Sequence, residues 1–216
     1  MKKIFVASLL LLFIHAEAQI NECTVKYVMK VDGDQENIAA QMLINTSVTI
    51  YYKKEKALMD MTTPAYHMKT LTDNTGVLML MDAIGQKFYT RKSKEDIAKG
   101  KTPDPVISLT NETKKIVGYD CKKAFITVTG NKGTVVKMAI WTTDKIQNVS
   151  GIGPVNAEAL AKVKGMALEV DMEQGGIKTR MVATEISTKP LADAVFVVST
   201  NGFTERKTPG APPVKQ

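Results

Sequence analysis

The side chains that could do covalent or metal chemistry are few and scattered. The 216 residues hold two histidines, His15 and His67, and two cysteines, Cys23 and Cys121. A zinc site of the usual kind draws three or four ligands from these types. His15 lies in an N-terminal stretch expected to be removed, which leaves His67 as the one imidazole available to a histidine-based triad. His67 sits in Ala65-Tyr66-His67-Met68-Lys69, an ordinary strand pattern. Asp32-Gly33-Asp34-Gln35-Glu36-Asn37 begins like a calcium loop. An EF-hand needs Gly at its sixth position and Glu at its twelfth, and these positions hold Asn37 and Leu43. Gly151-Ile152-Gly153 hints at phosphate binding, but a third glycine is missing and Pro154 removes an N–H donor. No pair of carboxylates stands in an acid/base setting. The expectation is therefore no catalytic residue, no metal and no cofactor.

Two other residue types carry more information. Cys23 and Cys121 would pair across distant segments if joined; the alternative is two packed free thiols. Twelve methionines fall mostly in strand-like runs. Met59 and Met61 share one strand face, as do Met79 and Met81, while Leu78 and Leu80 occupy the opposite face of that second strand. Both of its faces thus read as buried. Flexible thioethers suit an adaptable surface for lipid-like ligands, and they also fill ordinary cores.

The N-terminus gives an address. Met1-Lys2-Lys3 is cationic, Ile4 to Ile14 is apolar apart from Ser8, and Ala16-Glu17-Ala18 offers a small-x-small cleavage site. Residues 1–18 read as a secretory signal peptide cleaved before Gln19. The apolar run is shorter than the roughly 20 residues that span a bilayer. Export explains why two thiols would invite a disulfide. Ile20-Asn21-Glu22 ahead of Cys23 is no lipidation motif, so the product is expected to be periplasmic or extracellular and not lipid-anchored. The net charge of +7 comes mostly from lysines at alternate positions of strand-like runs, as on a solvated sheet face. No basic block is interleaved with aromatics, which argues against nucleic acid. Peripheral attraction to an anionic membrane surface stays open.

The elements that must position these residues are short strands. Thr24–Val31 alternates cleanly, and runs recur at Ala39–Asn45, Ser47–Tyr52, Lys56–Thr62, Tyr66–Thr72, Gly76–Met81 and Gln86–Arg91. Further runs are Ile107–Val117, Tyr119–Thr129 and Thr134–Thr142, the last two joined by a turn at Gly130–Gly133. This spacing predicts an antiparallel all-β sheet or barrel. Ser93–Lys99 reads as a short helix with Ser93 as N-cap. Pro154–Lys164 reads as a second, ended by Gly165. The last hairpin turns at Gly175-Gly176. That register sets Glu173 against Lys178, Asp171 against Arg180, Val170 against Met181 and Leu168 against Ala183. The tail, 204–216, reads as a flexible end after a single domain spanning 19–203.

The run Lys114-Lys115-Ile116-Val117-Gly118-Tyr119-Asp120-Cys121-Lys122-Lys123-Ala124 carries a family likeness. It is followed by Ile140-Trp141-Thr142-Thr143-Asp144, and later by Asp193–Val198 and Gly202-Phe203. The chain resembles an uncharacterised family of secreted bacterial proteins related to the GLPGLI type, without that literal string. More distantly it resembles the lipoprotein carrier LolA. The resemblance implies a strongly curved antiparallel sheet, an incomplete barrel of about 10–11 strands, with one or two short helices over its concave face. It also implies an acyl-binding cavity, although no functional residue carries over.

Together these readings predict a non-catalytic binding protein for lipid, lipidated protein or another hydrophobic ligand. The expected apolar lining is Val25, Tyr27, Met29, Met59, Met61, Met79, Met81 and Trp141, gated by the Pro154–Lys164 helix. The alternative is an envelope structural or protein-interaction module with no small-molecule ligand.

Overall fold

A computed structural model describes residues 19–32, 38–99, 104–129, 135–147, 162–174 and 176–206. Twelve strands among them form a single sheet. They are β1 (Glu22–Asp32), β2 (Ser47–Lys53), β3 (Lys56–Thr62), β4 (Tyr66–Asp73), β5 (Gly76–Ala83), β6 (Gln86–Ser93), β7 (Val106–Ile116), β8 (Tyr119–Thr129), β9 (Val135–Thr143), β10 (Met166–Gln174), β11 (Ile177–Ser187) and β12 (Thr204–Glu205). Two short helices accompany them, α1 (Ile38–Gln41) and α2 (Lys94–Lys99). The strand count exceeds the expected 10–11 by the two-residue β12. The expected fold class is otherwise what is found.

The connectivity explains why the barrel is incomplete. Strands β2 to β6 form a meander of tight turns, and β1 pairs with β2 across a longer connection that holds α1. Helix α2 follows β6 and leads to β7 at the opposite edge of the sheet. The chain then returns through β8, β9 and β10 until β11 pairs antiparallel with β1. The sheet is thus sealed along β1–β11 and open between β6 and β7. The start of α2 is fixed as the sequence predicts. Ser93 Oγ accepts from the Asp96 N–H at 3.1 Å and donates to Asp96 Oδ2 at 3.0 Å.

Two hairpins show how local chemistry sets register. Val117 (φ 47°) and Gly118 (φ 84°) make a two-residue turn with both residues in the left-handed region. This is the turn type whose twist matches antiparallel strands. The Gly-Tyr-x-Cys-Lys-Lys run is thereby the β7–β8 hairpin, with Ile116 opposite Tyr119. At the last hairpin, Glu173 opposes Lys178, Asp171 opposes Arg180 and Val170 opposes Met181, as expected. Leu168 does not oppose Ala183. A register shift between Ala167 and Glu169 takes Leu168 out of the ladder, and the β10–β11 pairing starts only at Glu169 and Val182. A bulge of this kind is invisible to a pattern of alternation.

The expected strand at Ala39–Asn45 is also corrected. Ile38–Gln41 is α1, and the chain turns back through Asn45 at φ 61°, a conformation that asparagine tolerates better than most residues. Thr46 Oγ1 closes the turn by donating to Leu43 O at 2.7 Å. Paired alanines favour helix over strand, which a hydrophobicity pattern alone does not register. Residues 1–18, the Gly130–Gly133 turn and 154–161 of the expected second helix lie outside the described residues. Its expected stop, Gly165, does adopt φ 82°, where an added Cβ would fall 1.8 Å from Thr143 O.

Apolar packing forms two clusters. The larger joins Cys23, Val25, Tyr27, Val48, Ile50 and Tyr52 of β1–β2 to Cys121, Trp141, Met166 and Leu168 from the other half of the sheet. Such contact between strands far apart in sheet order requires strong curvature. The smaller cluster joins Ala124, Ile126, Met138 and Ile140 to Val163. Outside the curve, residues 188–206 run as a strap from β11 to the β6 edge. The Leu191 N–H donates to Glu22 Oε1 at 2.5 Å. Lys53 Nζ binds Leu191 O at 2.7 Å and Asp193 Oδ1 at 3.0 Å. The single 3₁₀ turn Asp193–Phe196 packs on β3 and buries Phe196. The strap ends as β12, parallel to β6. Leu58 and Leu80, on the outer face, are buried along this path. Hence β5 is apolar on both faces: one faces the curve and the other faces the strap side.

Candidate ligand-binding site

The concave face of β1–β6 is built of residues directly opposite one another on neighbouring strands. One cross-strand row reads Tyr27, Val48, Met61, Met68, Met81, Phe88. The row beside it reads Val25, Ile50, Met59, Thr70, Met79, Thr90. Period-two alternation puts every member of both rows on the same side. Burial along the rows is not uniform. Tyr27 and Val48 are 2% and 1% exposed at one end, and Phe88 is 1% exposed at the other. Between them Met61, Met68 and Met81 are only half-buried, as is Met79 in the second row. The rows therefore form a trough with sealed ends and an accessible, thioether-lined middle. Tyr66, on the same face, donates its hydroxyl to Met61 Sδ at 3.7 Å.

The eight lining residues expected from sequence divide by position. Val25, Tyr27, Met59 and Trp141 lie in the larger cluster with Met61 packed against it. Met79 and Met81 continue the rows beyond that cluster. Met29 follows Tyr27 on the same face, half-buried and opposite Met181. Trp141 is not trough lining: it opposes Glu169, which opposes Val182 and through it the exposed Val28, so register sets it on the face away from Tyr27 and Met29. Its ring lies 4.2 Å from Lys114 Nζ and 5.5 Å from Lys123 Nζ. Lys114 also binds the buried carboxylate of Glu169 at 2.7 Å.

Sequence reasoning missed Met68, Phe88 and Arg206. Met68 stands alone in its strand, so no Met-x-Met pattern marked it. Phe88 and Arg206 meet only because β12 returns to β6, placing the Arg206 guanidinium 4.0 Å from the Phe88 ring centroid.

The polar groups beneath the trough are inert. Cys23 and Cys121 are both free and fully buried. Burial pushes each thiol up to about 11. Burial also pushes the Tyr52 phenol up to about 12, with Cys23 and Glu55 adding to it. Burial raises Tyr27 as well, with both thiols adding. These groups stay protonated and neutral near pH 7, so none is an activated nucleophile. Tyr27 donates to Ala167 O at 2.8 Å, whereas Tyr52 Oη and Thr72 Oγ1 are buried without a partner. His67 lies on the outer face, its Nε2 2.6 Å from Asp60 Oδ1, with Lys69 3.3 Å from the same carboxylate. Among the described residues no group of three His, Cys, Asp or Glu is placed to hold a metal ion.

Besides a polar cavity of about 550 Å³ at the β2–β3 turn, lined by Lys53, Lys54, Glu55, Lys56, Asn74 and Asp193, two cavities lie elsewhere. One of about 470 Å³, at the β7–β9 end, is lined by Leu109, Thr113, Cys121, Ala124 and Val163 among others. Another of about 450 Å³ lies over Phe125, Ala139, Asp171 and Arg180. Lysines and carboxylates line both, so neither offers the continuous apolar surface of the trough.

Fold and site define a class: an open, strongly curved antiparallel sheet with an apolar concave face. No protein-family model and no curated protein matches the chain. Among solved structures it is similar to PNGF-II, with a TM-score of 0.52 and 16% identity over 87% of this chain. The chain spans 32% of that protein's length, and the likeness is one of fold. It also matches a LolA superfamily protein from Nitrosomonas europaea, at a TM-score of 0.38 and 13% identity. That match covers 83% of this chain and 91% of the other. A domain from Vibrio parahaemolyticus named for outer membrane lipoprotein sorting matches at a TM-score of 0.39 and 10% identity. There the coverage is 82% of this chain and 89% of the other. Among the described residues no helix is long and apolar enough to cross a membrane.

Proposed function

We propose that the chain is an exported, non-catalytic binding protein for lipid, lipidated protein or another hydrophobic ligand. The observation that carries this reading is the half-buried middle of the two methionine rows, flanked by fully buried residues. A folded core would bury these thioethers; a binding surface leaves them accessible and lets them conform to the occupant. Lys30, exposed on the outer face, would favour approach to an anionic membrane. Native mass spectrometry of the protein from its own host tests the reading. Bound lipid released by organic solvent is expected. A preparation without adduct, which also fails to bind an apolar dye, refutes it.

A second reading, a protein-interaction module of the cell envelope, is favoured by β7. This edge strand exposes Val106 at 71% and Leu109 at 67%, and an open edge invites a partner strand. Loss of a partner on placing lysine at Val106 and Leu109, with dye binding intact, would select it.

A further inference from the structure

Charge on the concave face is one-sided. No concave position from β2 to β6 holds a carboxylate. Asp60 and Asp82 point outward, paired with Lys69 and Lys87. The β6 positions on the concave face are Gln86, Phe88, Thr90 and Lys92, by register with β5. Lys92 is exposed. Arg206 joins them from the strap. Its backbone N–H donates to Tyr89 O at 2.8 Å, which continues the β12–β6 ladder and sets its side chain on the side of Phe88 and Thr90. Its guanidinium stacks over Phe88 and donates from Nη2 to Gln86 Oε1 at 3.1 Å. Gln86 is neutral, and Arg206 makes no ion pair with a carboxylate among the described residues. A guanidinium has five donors in a fixed fork, so most remain for a bidentate acceptor.

We infer that the trough takes a single-chain amphiphile with a carboxylate head, the head held by Arg206 and the chain laid along Met81, Met68 and Met61. This rests on the binding reading above and adds the ligand's charge, polarity and direction. Its length follows from the sheet. From Phe88 on β6 to Met61 on β3 is three strand spacings, about 14 Å at roughly 4.8 Å each. An extended alkyl chain advances about 1.3 Å per carbon for bonds of about 1.5 Å. The half-buried methionines thus match a chain of about ten to twelve carbons. A carboxylate seated on Arg206 meets no repelling acid on the concave face of β2 to β6.

The probes are dodecanoate and dodecanol, titrated calorimetrically into the delipidated full-length protein and into Arg206→Gln. Wild type is expected to bind dodecanoate more tightly than dodecanol. Arg206→Gln is expected to weaken dodecanoate about ten- to hundred-fold, the span of a charge-assisted pair, and to leave dodecanol unchanged. Arg206→Lys should recover part of the loss. If both probes bind wild type and Arg206→Gln alike, the head-group assignment falls while the apolar site stands. If neither probe binds wild type, the binding reading falls with it. Circular dichroism of Arg206→Gln checks that β12 has not detached. Should it detach, Gln86→Glu, which would neutralise Arg206 in place, must give the same selective loss.

Discussion

Truncating the methionines one at a time distinguishes a trough from a core. Leu168 is 0% exposed within the larger cluster. Leu168→Ala removes buried methylenes and leaves a void, which costs about 3–4 kcal/mol. Met79 and Met81 are half-buried and belong to neither cluster. Full burial of a methionine is worth about 1.5–3 kcal/mol. Only the buried part of that is lost in Met79→Ala or Met81→Ala, and no closed cavity forms because the surface is already open. Each should cost about 1 kcal/mol, a shift in melting temperature of roughly 2–4 °C for a chain of this size. Urea unfolding of delipidated protein measures the difference. Adding a bound apolar ligand should widen the gap between variant and wild type, since ligand burial raises the contribution of each thioether. Met79→Ala and Met81→Ala costing as much as Leu168→Ala in the delipidated protein would refute the trough.

Two further outcomes follow from buried polar groups. Tyr52→Phe removes a hydroxyl that has no partner and should be neutral or slightly stabilising. Tyr27→Phe breaks the bond to Ala167 O and should cost about 1–2 kcal/mol, because a buried acceptor loses its donor; equal costs in thermal melts would overturn the assignment. Alkaline pH should destabilise the fold. The thiols of Cys23 and Cys121 rise from an ordinary 9.0 to about 11, so the unfolded chain loses these protons first. Their contribution is complete below about pH 9 and disappears as pH rises through about 11. A melting temperature flat between pH 8 and 11 refutes this. In the same series, a thiol reagent should label neither cysteine in native protein at pH 8 and both in denaturant. No label in denaturant would mean that Cys23 and Cys121 are joined.

Legibility in the sequence followed the range of the forces involved. Strand faces and turns are local, so β1 to β6, the Ser93 cap and most of the last hairpin register could be read directly. The pair Glu173–Lys178 needed only alternation and a Gly-Gly turn. The β10 bulge could not be read, because Leu168 leaves the ladder to pack against distant strands and no neighbour in sequence announces it. Helix α1 was lost to a run that looked apolar enough for a strand. The candidate site was half legible for the same reason. Paired methionines within one strand stood out, whereas the rows that unite Met61, Met68 and Met81 exist only across three strands. Arg206 was hidden entirely, in a segment whose composition suggests a free end.

The strap supplies what the meander lacks. A sheet whose chain crosses from β6 to β7 through α2 has two edges, and an exposed edge is a hazard. Pairing Thr204 and Glu205 with β6 covers part of one edge, and the strap crosses the outer face where Leu58 and Leu80 are buried. That same arrangement delivers a guanidinium to the mouth of the concave face. Removing residues 204–206 should therefore do two separable things. It should lower stability through the lost edge pairing and the lost cover on Phe88. It should also abolish the preference for a charged head without closing the trough, since Met61, Met68, Met79 and Met81 are held by β3 to β5 and not by the strap's end. If the proposed carboxylate ligand binds, the same three residues would both cover the edge and present the cation.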